Sequence, residues 1–144
     1  MFTFKLQAVL DCRKAIEEKV LLEFSEKKRW LVREKEALET LREEKMRLIN
    51  DLKTMGNTTI HDVLLYTSYI KQLQEKEKKQ EALTSQISLE LEDMRRELLE
   101  AMKKRKAMEI LKARNVQAYQ AEVMISERKE LDETAVQRFG RRPR

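Results

Sequence analysis

Cys12 and His61 are the only cysteine and the only histidine in the chain. Side by side they would make a thiolate–imidazole nucleophilic pair, and with further ligands they would begin a metal site. Their positions argue against both. Cys12 precedes Gly56 by 44 residues and His61 follows Gly56 closely. With a helix on each side of Gly56, helical rise separates the two side chains by roughly 65 Å. No second imidazole exists to build a His-based metal site. Gly56 and Gly140 are the only glycines, so no glycine-rich loop can cradle a phosphate. Carboxylates abound, but on water-exposed helices they pair with Lys and Arg at i,i+4 more readily than with each other as acid and base. Neither catalysis nor a bound metal or other cofactor is expected.

Two clusters of cations remain as candidates for binding. Lys103-Lys104-Arg105-Lys106 is a run of four, and Arg138, Arg141, Arg142 and Arg144 crowd the last seven residues. Such clusters suit a nucleic-acid backbone or an anionic membrane. Here Glu97, Glu100 and Glu109 bracket the first run, and the second lies where a helix C-terminus favours cations. No aromatics interleave with the run to stack on bases. Nucleic acid is not expected as a partner.

The elements that hold these residues are helices. The chain has 144 residues, 40% of them charged and 6% aromatic, with two glycines and one proline where average usage would give roughly ten and seven. Sheets and loop-rich enzymes need more turns. With 41% hydrophobic residues there is still enough apolar surface to fold, so the composition is that of long helices rather than disorder. The 31 basic and 26 acidic residues interleave and leave a net charge of +5. Apolar runs are short, as at Val20 to Leu22, so no membrane span is expected. With a single cysteine and no disulfide, a soluble protein of a reducing, intracellular compartment is expected.

A 3,4 alternation runs through Leu6, Leu10, Val20, Phe24, Leu31, Leu38, Leu41, Leu48, Leu52 and Met55, with Arg13, Glu17, Lys27, Glu34 and Lys45 on the remaining seam positions. The second half continues through Val63, Tyr66, Ile70 and Leu73. It crosses a polar gap at Glu77, Gln80 and Thr84, then resumes in register at Ile87, Leu91, Met94, Leu98, Ala101 and Met108. Between the halves, Gly56 can take the left-handed conformation that ends a helix, and Thr59 can cap the next one, with Asp62 reaching back to it. The expected fold is all-α: two long helices, about 4–55 and about 60–137, joined by a turn at 56–59 into one antiparallel coiled-coil hairpin, the second helix being the longer. Residues 138–144 are expected to form a basic flexible tail. Arms of roughly 80 and 115 Å cannot match. Residue 4 should fall opposite about residue 111, leaving the helix beyond Ala113 without an intrachain partner for some two dozen residues. A charged helix of that length needs a partner or frays. The competing arrangement is an intermolecular dimer of one continuous rod.

Near the bend, Tyr66, Ile70 and Leu73 sit on the seam, while Tyr69 falls beside it and suits a docking surface, because aromatic anchors concentrate binding energy. Trp30 flanks seam residue Leu31. Phe2 and Phe4 are placed to staple the first turn or the partner helix.

Three segments resemble one family. Phe2-Thr3-Phe4-Lys5-Leu6-Gln7-Ala8-Val9-Leu10-Asp11-Cys12-Arg13, with Glu17 and Glu18 following, resembles the start of the flagellar export protein FliJ family: a phenylalanine pair, Leu-Gln-x-Val-Leu, then Arg and Glu. Tyr66-Thr67-Ser68-Tyr69-Ile70-Lys71-Gln72-Leu73 is similar to the family's aromatic-x-x-aromatic-Ile-x-x-Leu stretch after the turn. Glu127-Arg128-Lys129-Glu130-Leu131-Asp132-Glu133-Thr134-Ala135, reached through Tyr119 and Glu122, resembles its Glu-x-Lys-x-x-Asp-Glu-x-Ala signature.

The resemblance implies a soluble, non-enzymatic component of the flagellar type III export apparatus, a stalk-like antiparallel coiled coil similar in shape to the central stalk of rotary ATPases. Its implied partners are the flagellar export ATPase ring, the cytoplasmic domain of the export gate membrane protein, and export chaperones. It would stay cytoplasmic and meet the inner membrane only through those partners. By resemblance, Leu6, Leu10, Arg13, Leu131, Asp132 and Glu133 would contact the ATPase ring, and Leu41, Leu48, Tyr69 and Leu73 the gate. A stalk of the related virulence-type secretion apparatus and a generic structural coiled-coil dimer are the alternatives.

Overall fold

The computed structural model describes residues 1–56 and 59–140. Asn57 and Thr58 of the expected turn, and Arg141, Arg142, Pro143 and Arg144 of the expected tail, lie outside the described residues. Two helices account for nearly all the rest: α1, Gln7–Thr54 (48 residues), and α2, Ile60–Gly140 (81 residues). No helix among the described residues is long and apolar enough to cross a membrane. The all-α class, with two antiparallel helices of which the second is longer, is the one observed.

α1 begins three residues later than the periodicity suggests. Met1–Phe4 is not helical, and the Gln7 N–H donates to the Phe4 carbonyl at 3.1 Å, starting the first turn. At the other end the sequence suggests a left-handed glycine, but Gly56 does not have a positive φ. A different device finishes the helix. The Thr54 hydroxyl lies 3.1 Å from the Asn50 carbonyl and 3.2 Å from that of Asp51, and the Met55 N–H reaches Asp51 O at 3.1 Å. The carbonyls that a glycine cap would serve are therefore already engaged. A Cβ at Gly56 would meet nothing within 4 Å. Gly56→Ala is accordingly expected to raise stability by about 0.4–1 kcal/mol through the unfolded chain, read as a higher thermal midpoint by circular dichroism. α2 opens as the sequence suggests: the Asp62 N–H donates to Thr59 Oγ1 at 3.3 Å, and the Val63 N–H to Thr59 O at 3.2 Å.

Two compact units form, and both helices contribute to each. In the central unit, Glu18–Leu99, interhelical bonds join Lys27 to Glu90, Glu34 to Gln80, and Lys45 to Glu77. Partner numbers on α2 fall as those on α1 rise, which is antiparallel pairing. Leu31, Leu38, Leu73, Thr84 and Ile87 are buried, and Ile87 is 0% exposed. The predicted α1 seam from Leu10 to Met55 is buried or half-buried at every position. On α2 the one departure is Val63, 38% exposed, with Asp62 half-buried in its place.

The terminal unit, Met1–Glu17 with Glu100–Arg144, packs Phe4, Leu10 and Ala101 into its core. The Phe2 and Tyr119 rings stand 5.5 Å apart at 50°, an aromatic pair of the favourable tilted kind. The pairing reaches further along α2 than expected: the non-helical Met1–Phe4 lines one groove with Asn115, Ala118, Tyr119 and Glu122 rather than ending opposite residue 111. Burial on α2 accordingly extends past Ala113: Tyr119 is the last half-buried residue, and every residue from 121 to 140 is exposed.

Candidate partner-binding surfaces

The central unit contains a polar layer where apolar side chains would ordinarily meet. Glu77 and Gln80 occupy seam positions on α2, and the α1 side answers with Glu34, Arg42 and Lys45. Lys45 Nζ lies 2.6 Å from Glu77 Oε2, Arg42 Nε lies 3.2 Å from Glu77 Oε1, and Arg42 Nη2 lies 2.9 Å from Glu81 Oε1. Gln80 Nε2 donates to the Glu34 carbonyl at 2.9 Å and also to the Glu34 carboxylate. The Thr84 hydroxyl, in a residue only 8% exposed, donates to Glu81 O at 2.9 Å. Among the described residues no buried side-chain polar atom lacks a partner. The hydrogen bond from Lys45 holds the Glu77 carboxyl below the ordinary carboxylate range, opposed by burial and reinforced by Arg42. The sequence marks these positions only as gaps in the heptad. The complementary charge on the facing helix was the signal that would have identified them as a matched layer.

The expected gate-facing residues gather in this unit but do not share one surface role. Tyr69 is 43% exposed, and its hydroxyl donates to Glu44 Oε1 at 2.9 Å, between the half-buried Leu41 and Leu48 on α1. That bond raises the pKa of the phenol, because the carboxylate stabilises the protonated form. Leu73 is 2% exposed. It packs the seam beneath any such surface, so its loss would disturb folding before binding.

The expected ring-facing residues divide in the same way within the terminal unit. Leu10 is 1% exposed and is core, whereas Leu6, laid on the seam from sequence, is 41% exposed because it precedes the helix. Arg13 is half-buried. Leu131 is 70% exposed, and Asp132 and Glu133 are exposed beside it. They lie on the exposed stretch of α2, Leu131 being 12 residues beyond Tyr119, about 18 Å along the helix. Met1–Leu6 and Leu131–Glu133 therefore do not meet as one patch.

Two of the four cations in the basic run have carboxylate partners. Arg105 turns to Glu17 on α1 and to Glu109 at 2.9 Å, and these carboxylates raise its pKa, Glu17 contributing most. Lys103 lies 3.5 Å from Glu100. Cys12 and His61 are both exposed, and no group of three or more metal-ligating side chains occurs among the described residues.

What distinguishes the molecule is thus a polar-layered antiparallel helix pair and a second helix whose last turns, from Ala121 to Gly140, are exposed throughout. The model of one family, described as the flagellar FliJ protein, matches residues 1–144, the whole chain. No curated protein and no solved structure matched in the corresponding comparisons. The whole-chain match, with the two antiparallel helices that the family resemblance implies, shows that the chain belongs to the FliJ family and is a component of flagellar type III export.

Proposed function

We propose that the protein is a non-enzymatic cytoplasmic coupler, which binds the export ATPase ring through the exposed end of α2 and the cytoplasmic domain of the export gate through the Tyr69 region. It hydrolyses nothing itself, handles export chaperones, and reaches the membrane only through its partners. The observation that carries this reading is the stretch 121–140, exposed throughout, on which Met124 is 63%, Leu131 70% and Val136 71% exposed. A helix of about 20 residues with apolar side chains in water gains by docking, since helices of this length are marginal alone. The flanking Asp132 and Glu133 give that contact orientation and salt dependence.

The test uses the full chain carrying Leu131→Asp together with Asp132→Lys, mixed with purified export ATPase and followed by sedimentation velocity. Both residues are exposed, so far-UV circular dichroism should be unchanged. Co-sedimentation should be lost. Retained co-sedimentation at full strength would refute ring binding by this end.

A further inference from the structure

Met1–Phe4 is held to α2 chiefly through two rings. Phe4 is 8% exposed, and the half-buried Phe2 stands against Tyr119, whereas Met1 and Thr3 are exposed. Among the described residues this segment makes no hydrogen bond or ion pair with α2. Further along the same unit the two helices are tied by an ion pair, Arg105 to Glu17. Lifting the segment leaves no backbone group of α2 unpaired, because a helix satisfies its own. Segments with so few buried contacts open at the low end of a protein's stability range. What the segment covers is the inner end of a longer face. Asn115, Ala118 and Glu122, which line a groove with it, continue at intervals of three and four residues to Ile125, Lys129, Asp132 and Val136, the spacing of one helix face. Ile125 is 57% and Val136 71% exposed. The outer part of the face is therefore bare, while the inner part, beside Tyr119, is covered.

We infer that Met1–Phe4 is a detachable strap that competes with the export ATPase ring for the inner end of this face, an autoinhibitory contact within the chain. The inference rests on the reading that the exposed end of α2 binds the ring. A ring segment laid along the face from Val136 to Ile125 meets the strap at Glu122, and it gains Ala118 and the Tyr119 ring only by displacing Phe2. Aromatic side chains concentrate interface energy, so a covered Tyr119 holds part of the affinity in reserve. The chain then binds more weakly in proportion to the fraction in which the strap is closed.

The test fixes the strap and then frees it in the same protein. The full chain carrying Cys12→Ser, Thr3→Cys and Ala118→Cys is bridged across the groove with a short bis-methanethiosulfonate, which reductant cleaves. Purified export ATPase is then titrated with the bridged and the reduced forms by sedimentation velocity. The bridged form should bind about tenfold more weakly than the reduced form. Cys12→Ser with Ala118→Cys, capped by methyl methanethiosulfonate, places bulk in the groove without closing the strap and should bind like the reduced form. Phe2→Ala, which loses the ring pair with Tyr119, should bind about threefold more tightly than wild type. Circular dichroism on each form checks that the helices are intact. Equal binding by the bridged and reduced forms, or a capped form as weak as the bridged one, would overturn the inference and leave ring binding in place. Weaker binding by Phe2→Ala would overturn it too, by making the strap part of the contact. Failure of every form, wild type included, to bind the ATPase would remove ring binding itself and the inference with it.

Discussion

Ile87→Ala should lower the unfolding free energy by about 2–4 kcal/mol, read from the midpoint of urea unfolding at an unchanged slope. Ile87 is 0% exposed, at the seam position where the α2 stripe resumes after Glu77, Gln80 and Thr84. Truncating it removes apolar contacts and leaves a cavity beside a layer that is already polar, so little neighbouring apolar surface is available to close over it. Leu131→Ala provides the contrast. Leu131 is 70% exposed, and its truncation should move stability by no more than about 0.5 kcal/mol. Similar losses from the two substitutions would mean that the buried seam is misassigned.

The second large effect concerns the polar layer. Glu77→Ala leaves Lys45 on the seam, and the exposed Arg42 beside it, without their shared carboxylate, and a loss of roughly 1–3 kcal/mol is expected, measured by thermal unfolding near neutral pH. Because the folded-state pKa of Glu77 is lowered, its contribution is present above the ordinary carboxylate range and disappears as pH falls through the lowered value. Glu90 is lowered in the same direction, first by its hydrogen bond from Lys27 and then by Gln86. The thermal midpoint of the wild type should therefore hold from about pH 7 to 5 and fall on further acidification, more steeply than that of Glu77→Gln. A Glu77→Gln profile parallel to wild type would remove Glu77 from the account. Replacing Lys45 and Glu77 together by Leu should recover thermal stability, because a well-packed apolar pair often equals or exceeds an ion pair. What it should weaken is the specification of register, which the matched charges now supply.

The seam was legible in the sequence because helical pairing leaves a periodic trace. Leu10, Leu31, Leu38, Leu73 and Ile87 were all placed on it, and all are buried. Thr59 as the cap of α2 was legible for a local reason, its hydroxyl serving an N–H three residues on. The end of α1 was not, because a glycine after a helix suggests a left-handed cap, whereas Thr54 already occupies the carbonyls that such a cap would serve. The start of the exposed α2 stretch lies at Ala121 rather than Ala113 because periodicity carries no information on how a non-helical start such as Met1–Phe4 packs along its neighbour. The surfaces were the least legible. Family resemblance nominates Leu10 and Leu73 as readily as Leu131 and Tyr69, and only burial separates the two that support a surface from the two that can touch a partner. Glu34, Lys45, Glu77 and Gln80 read singly as flaws in a heptad, and they become one layer, with Arg42 at its edge, only when the helices are placed side by side.

The proposed coupling requires that two separate parts of one chain hold two different machines. It is tested most directly by placing a photo-crosslinking amino acid at Leu131 or at Tyr69 of the full chain, in a mixture of the purified export ATPase and the gate's cytoplasmic domain. Crosslinks from position 131 to the ATPase and from position 69 to the gate domain are the predicted result. Capture of the same partner from both positions, or of the ATPase from position 69 alone, would contradict it.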